Sequence, residues 1–182
     1  MNPTYTYTKS ADYISSLDFD YIETYSFQRG EEYDHSLQQL KEEYNRLQAR
    51  KKRGKDISGQ EAERCETLYK LVGISQYLID KEGNFHASCK KINTFNKGHK
   101  AIEKIKQILL TEAVDVPSWL CAPVYRDAIV FYDRHGSILS VLNICFSCEY
   151  METKMFHHIK GDVETYKLLK HFLTDAGHEI EA

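Results

Sequence analysis

The sequence predicts an α+β fold in which an antiparallel sheet of hairpins is packed against several helices. Three observations predict it. Apolar residues recur at three- and four-residue steps in separate stretches. Two strongly β-prone runs, 127–133 and 138–146, are joined by a short turn. Helical and extended segments come in blocks, not in the β-α-β alternation of a parallel sheet. At 182 residues the chain suits one domain, 1–182, and can bury a core without disulfides or metals to hold it.

The elements follow in order. The first dozen residues are polar and rich in Thr and Tyr, which predicts an edge-pairing or loose arm. Residues 20–28 are β-prone, with Tyr21, Tyr25 and Phe27 on one face. A helical hairpin is expected over 34–74. Its first helix carries Leu37, Leu40, Tyr44 and Leu47, and its second carries Ala62, Cys65, Tyr69 and Val72 behind a capping Ser58. Gly54, at the end of a basic run, permits the turn between them.

Residues 75–92 read as a hairpin turning at Asp80-Lys81-Glu82-Gly83, and a third helix spans about 98–111 with Ile102, Ile105, Ile108 and Leu109. The cysteine-bearing β-hairpin, 117–148, turns at Asp133-Arg134-His135-Gly136. Aspartate at the start and glycine at the left-handed position suit a short loop with a bulge. The same D-x-x-G at 80–83 has unlike flanks, so it is shared turn chemistry and not a repeat. A last helix runs from Asp162 to about Ala176, with Val163, Tyr166, Leu169 and Leu173 on one face and Gly177 to end it.

Composition narrows the function classes. The 24 basic and 27 acidic residues leave a net charge of −3, with no global attraction to a phosphate backbone. The basic run at 50–55 is flanked by Glu42, Glu43, Glu61 and Glu63 and reads as a solvated connection, so no nucleic-acid partner is expected. No apolar run approaches a membrane span, and the N-terminal residues do not read as a secretory signal. Five cysteines cannot all pair internally, so reduced thiols and a cytoplasmic location are expected. No nucleophile elbow, zinc-protease helix, phosphate loop or dinucleotide fingerprint is present.

Three of the cysteines, Cys121, Cys145 and Cys148, are brought toward one another by the predicted hairpin, whose open end joins residue 127 to 144–146. Thiolates there could hold zinc, with His157, His158 or His86 as a fourth ligand, although one C-x-x-C with a distant Cys is a weak pattern. A C-x-x-C can also form a redox pair, but no helix signal follows Cys148 to lower a thiol pKa. Burial as small core residues is the reading the residues favour. Arg126 could recognise a carboxylate with its planar fork, and more simply could hold the start of its strand.

The pattern C-x-P-x-Y-R, then F-Y-D-x-x-G, then I-C-F-x-C resembles that of small uncharacterised bacterial proteins. The resemblance covers residues 119–148, on Cys121, Pro123, Arg126, Tyr132, Asp133, Gly136, Cys145, Phe146 and Cys148. It implies no particular reaction.

Two functions are expected to compete. The first is a non-catalytic module that binds another protein, such as an immunity protein or inhibitor neutralising a bacterial toxin, with no cofactor. Abundant tyrosine and a mildly acidic balance favour it, and the contact residues would be Tyr21, Tyr25, Asp18, Asp20, Glu23 and Arg126. The alternative is a thiol or zinc protein centred on Cys121, Cys145, Cys148 and His157, with Zn²⁺ as cofactor.

Overall fold

The computed structural model describes residues 5–53, 58–117, 121–154 and 156–180. Among them the chain is a mixed α/β protein with five helices and a seven-stranded, mostly antiparallel sheet. It divides into two compact units, one of residues 28–76 and the other of residues 1–27 with 77–182.

The smaller unit is the helix pair. Helix α2 (Glu31–Lys52) and helix α3 (Gly59–Val72) meet along Leu47, Cys65 and Leu68, with Leu40 and Tyr44 packed against them. Ser58 caps α3 in a reciprocal box with Glu61. Arg64 grips the Glu43 carboxylate with two nitrogens at 2.7 and 3.0 Å, and Arg50 pairs with Glu61. One expectation is corrected: Leu68 faces inward, while Ala62 and Tyr69 stay exposed. Leu68 is three residues after Cys65, so the buried stripe runs one position earlier than the one drawn through Tyr69. The turn expected at Gly54 lies outside the described residues, as does Trp119, where the resemblance begins.

The larger unit holds the sheet, in the order β1-β7-β6-β5-β4-β2-β3. Its strands are β1 (Thr6–Lys9), β2 (Tyr21–Ser26), β3 (Lys90–Asn96), β4 (Asp127–Tyr132), β5 (Ile138–Cys145), β6 (Tyr150–Glu152) and β7 (His157–Lys160). Among the described residues only β1 and β7 run parallel. The arm at the start of the chain is thus an edge strand, as the sequence expects.

The turn between β4 and β5 shows why D-x-x-G belongs there. Asp133 accepts amides from His135 and Ser137 at 2.8 Å each, and Gly136 sits at φ 82°. The bulge appears where the register slips at Phe131/Tyr132. Asp80 does the same chemistry with Glu82 and Asn84, but there the flanking strands fail. A single bridge, Ile79 to Phe85, replaces the hairpin expected over 75–92. Residues 90–96 pair instead with β2, whose β-branched and aromatic side chains offer a longer ladder.

Helices α1 (Ser10–Ser15), α4 (Lys100–Leu109) and α5 (Val163–Asp175) cover one face of the sheet. Ile102, Ile105, Ile108 and Leu109 from α4, and Tyr166, Leu169, Phe172 and Leu173 from α5, bury against Ile22, Ile129, Phe131, Leu142, Ile144 and Ile159. Asp162 caps α5 with its side chain, and Gly177, at φ 100°, ends it. Strands β6 and β7 leave no signature in the sequence. Three and four residues long, they are too short to show a period. No helix among the described residues is long and apolar enough to cross a membrane.

Candidate functional site

The other face of the sheet is built from different residues. Direct cross-strand partners share a face, so the register lays out one row across all seven strands: Tyr7, His158, Glu152, Asn143, Ala128, Tyr25 and Lys91. Polar groups dominate it, in a position where a sheet ordinarily carries Val, Ile and Leu.

Glu152 stands near the middle of the row and is only 5% exposed. Its carboxylate accepts hydrogen bonds from three tyrosines. Tyr77 donates at 2.5 Å, Tyr125 at 2.9 Å and Tyr150 at 3.4 Å. Burial, followed by the bond to Glu152, pushes the Tyr77 phenol well above its ordinary range; burial and the Glu152 charge do the same to Tyr125 and Tyr150. All three therefore remain protonated donors.

Asn143 fixes the segment that closes over this network. Its side-chain oxygen accepts the Leu78 amide at 2.9 Å, and its amide group donates to the Glu152 carbonyl at 3.1 Å. Beside Glu152, the His158 ring stacks on Tyr150 at 4.0 Å between centroids. Burial, with Lys160 adding to it, lowers the His158 pKa to about 4, so the ring is neutral at physiological pH.

A second tyrosine–carboxylate group lies toward β3. Tyr25 donates to Glu23 at 2.6 Å and Lys91 approaches it at 2.8 Å. Burial raises Glu23, but the hydrogen bonds from Lys91, Tyr25 and Tyr132 outweigh it and hold the carboxyl below its usual range. Burial and the bond to Glu23 push Tyr25 up to about 12. Tyr21 stacks flat on Tyr132 at 4.7 Å.

These placements revise the contact surface expected from sequence. Tyr25 is buried at 8% exposure and is a core residue of this face, because its ring packs inward while its hydroxyl reaches Glu23. Asp20 is paired with Lys97 at 2.7 Å and Glu23 with Lys91, so neither offers an uncompensated charge. Asp18 is exposed, and Tyr21 is partly so. The Arg126 backbone continues the sheet, donating to Ile144 and accepting from Phe27. Asp127 finds its partner at the other end of the chain. His178, just past α5, lies 2.7 Å from it, and both are buried.

The cysteines are brought together in a way the sequence did not specify. Cys121 and Cys148 form a disulfide with Cα atoms 5.9 Å apart, so the expectation of five reduced thiols does not hold. Cys145 is a free, buried thiol in the same hydrophobic cluster as Cys148, with Ser147 at 3.4 Å. His157 sits in β7, in register with Thr6. No group of three or more metal-ligating side chains converges among the described residues.

At the rim of this face the aromatic row comes into solvent. Tyr5 and Tyr7 are 54% and 58% exposed, yet their rings are held. Tyr5 meets Phe156 edge-on at 4.7 Å. Tyr7 meets His158 at 5.6 Å, and the Lys160 ammonium lies 4.4 Å from its centroid. Searches of protein-family models, of curated proteins and of solved structures find no match for this chain.

Proposed function

We propose that the chain is a non-catalytic module that docks another protein, of the kind that inhibits or neutralises a toxic partner. The observation that carries this reading is the rim of the tyrosine face. Tyr5, Tyr7 and Phe156 present apolar area to solvent while neighbouring rings and Lys160 restrict their rotamers. Aromatic side chains already held in place lose little entropy on binding, and tyrosine is enriched at the energetic centres of interfaces. Behind the rim, the Glu152 network and Asn143 keep the face rigid.

The test is capture from a lysate of the source cells, followed by calorimetric titration of the purified partner. The double variant Tyr5→Ala/Tyr7→Ala should weaken that complex at least about 10-fold, as removal of two hot-spot aromatics does, with no change in melting temperature. A complex indifferent to both substitutions would sink the reading.

A thiol site is the second reading, and the Cys121–Cys148 disulfide favours it. Cys121 is exposed while Cys148 is buried, so a reductant would reach the bond from the Cys121 side. A zinc site using either sulfur requires the reduced form. Metal analysis of reduced protein, paired with a thiol count before and after reductant, checks both halves. A bond resistant to cellular thiol concentrations would leave it purely structural.

A further inference from the structure

The two edges of the sheet are unlike. β3 carries Lys90 and Lys91 and itself bulges at Ile92, opposite Thr24/Tyr25, both features that discourage further pairing. β1 has one lysine, at its end, and all four of its residues are exposed. No strand lies beyond it among the described residues.

Backbone geometry shows what that edge offers. Thr6 donates its amide to the Phe156 carbonyl at 2.9 Å. In a parallel ladder the bonding groups alternate along the strand, so Thr6 and Thr8 serve β7 while the amide and carbonyl of Tyr7 face outward.

We propose that β1 pairs antiparallel with β1 of a second copy of this chain, about a two-fold axis through Tyr7. The sequence of the strand is complementary to itself in that register. Tyr7 opposes Tyr7 of the second copy as a hydrogen-bonded pair, using the outward amide and carbonyl of each. Thr6 opposes Thr8, and such pairs stabilise adjacent strands. Lys9 opposes Tyr5, so the strand's one cation meets an aromatic ring and not a like charge. The two-fold relation keeps Tyr5 and Tyr7 of both copies on one face, joining two aromatic rims into a continuous surface.

A strand pair of this length is a small interface, which places the self-association in the weak range, roughly tens of micromolar. The pairing uses the edge of β1 and not its face, so it does not depend on the protein-docking reading above.

The experiment is sedimentation of the full chain from about 1 to 500 µM, a range that brackets the expected constant. Wild type should pass from monomer to dimer. Tyr7→Lys, which sets two ammonium groups against each other on the axis, should weaken the dimer at least about 10-fold while leaving the circular dichroism and melting temperature unchanged. A crosslinking pair keeps the test independent of that variant. Under mild oxidation Tyr7→Cys should crosslink between copies many times faster than Tyr5→Cys, because only position 7 faces itself.

A monomer throughout the range, a dimer indifferent to Tyr7→Lys, or equal crosslinking at positions 5 and 7 would each overturn the proposal. A dimer that persists while Tyr5→Ala/Tyr7→Ala abolishes partner capture separates the two readings. A wild-type chain that stays monomeric while capture is intact would remove this one alone.

Discussion

The two faces of the sheet solve the same burial problem with opposite chemistry. Under the helices, Ile129, Phe131, Leu142 and Ile144 meet the isoleucines of α4 and the leucines of α5, and polar pairs are few there, such as Asp127 with His178 and Tyr13 with Ser140. On the reverse, Tyr77, Tyr125, Tyr150, Asn143 and Glu152 bury comparable side chains whose polar ends must all be met. The oily face draws its stability from area and shape, which many sequences could supply. The tyrosine face depends on particular pairs, so it specifies which loop closes over which strand.

Four measurements break or sharpen this contrast. The largest effect belongs to the oily face. Phe131 touches the Tyr13 and Phe19 rings edge-on, and Phe131→Ala should cost about 3–5 kcal/mol by equilibrium denaturation. On the tyrosine face the disulfide comes next. It links positions 27 apart, and Cys121→Ser should lose roughly 3 kcal/mol of loop-closure stabilisation. Reductant should lower wild type to the level of the variant and leave the variant unmoved.

Acid should single out the tyrosine face as well. The His158 pKa is depressed to about 4, below the ordinary 6.5 that the unfolded chain restores. Above pH 6.5 the ring is neutral in both states and the full stability is present. As pH falls from 6.5 toward 4, the unfolded chain binds a proton that the fold refuses. Stability therefore drops, by at most about 3 kcal/mol, and this contribution levels off below pH 4. Burial lowers His86 in the same direction. Denaturant midpoints at pH 7.5 and 5.0 should show the loss, and His158→Gln should flatten it.

Glu152→Gln gives the smallest effect, about 1–2 kcal/mol. It keeps the shape but exchanges hydrogen bonds to a charge for neutral ones and turns an amide donor toward a tyrosine hydroxyl. A cost near zero would mean that packing alone holds this face.

Legibility in the sequence follows the same division. The oily face announces itself through period, and α4, α5, β4 and β5 are readable from the spacing of Ile, Leu and Val and from the aspartate–glycine turn. The tyrosine face does not. The three donors to Glu152 come from positions 77, 125 and 150, and no local pattern says that they converge. Tyr25 reads as surface because tyrosine is at home in either place, and only its bond to Glu23 shows which end is wet. Cys148 invites pairing with Cys145 by its spacing, yet its partner is Cys121, because the strand turns at 145 and the 121–126 segment runs alongside. His178 lies beyond the last periodic residue of α5, where nothing signals that it returns to Asp127.

The lone parallel pairing sets the order in which the sheet can be completed. Strands β4 to β7 follow one another closely along the chain, and each finds its neighbour across a short connection. β1 must wait for β7, since Thr6 and Phe156 are 150 positions apart and closing so large a loop is slow. Until it arrives, β7 is itself the open edge, with Ile159 unshielded on the helix side. That interval, before a short strand of threonine and tyrosine seals the sheet, is when chains of this protein are most exposed to one another during folding.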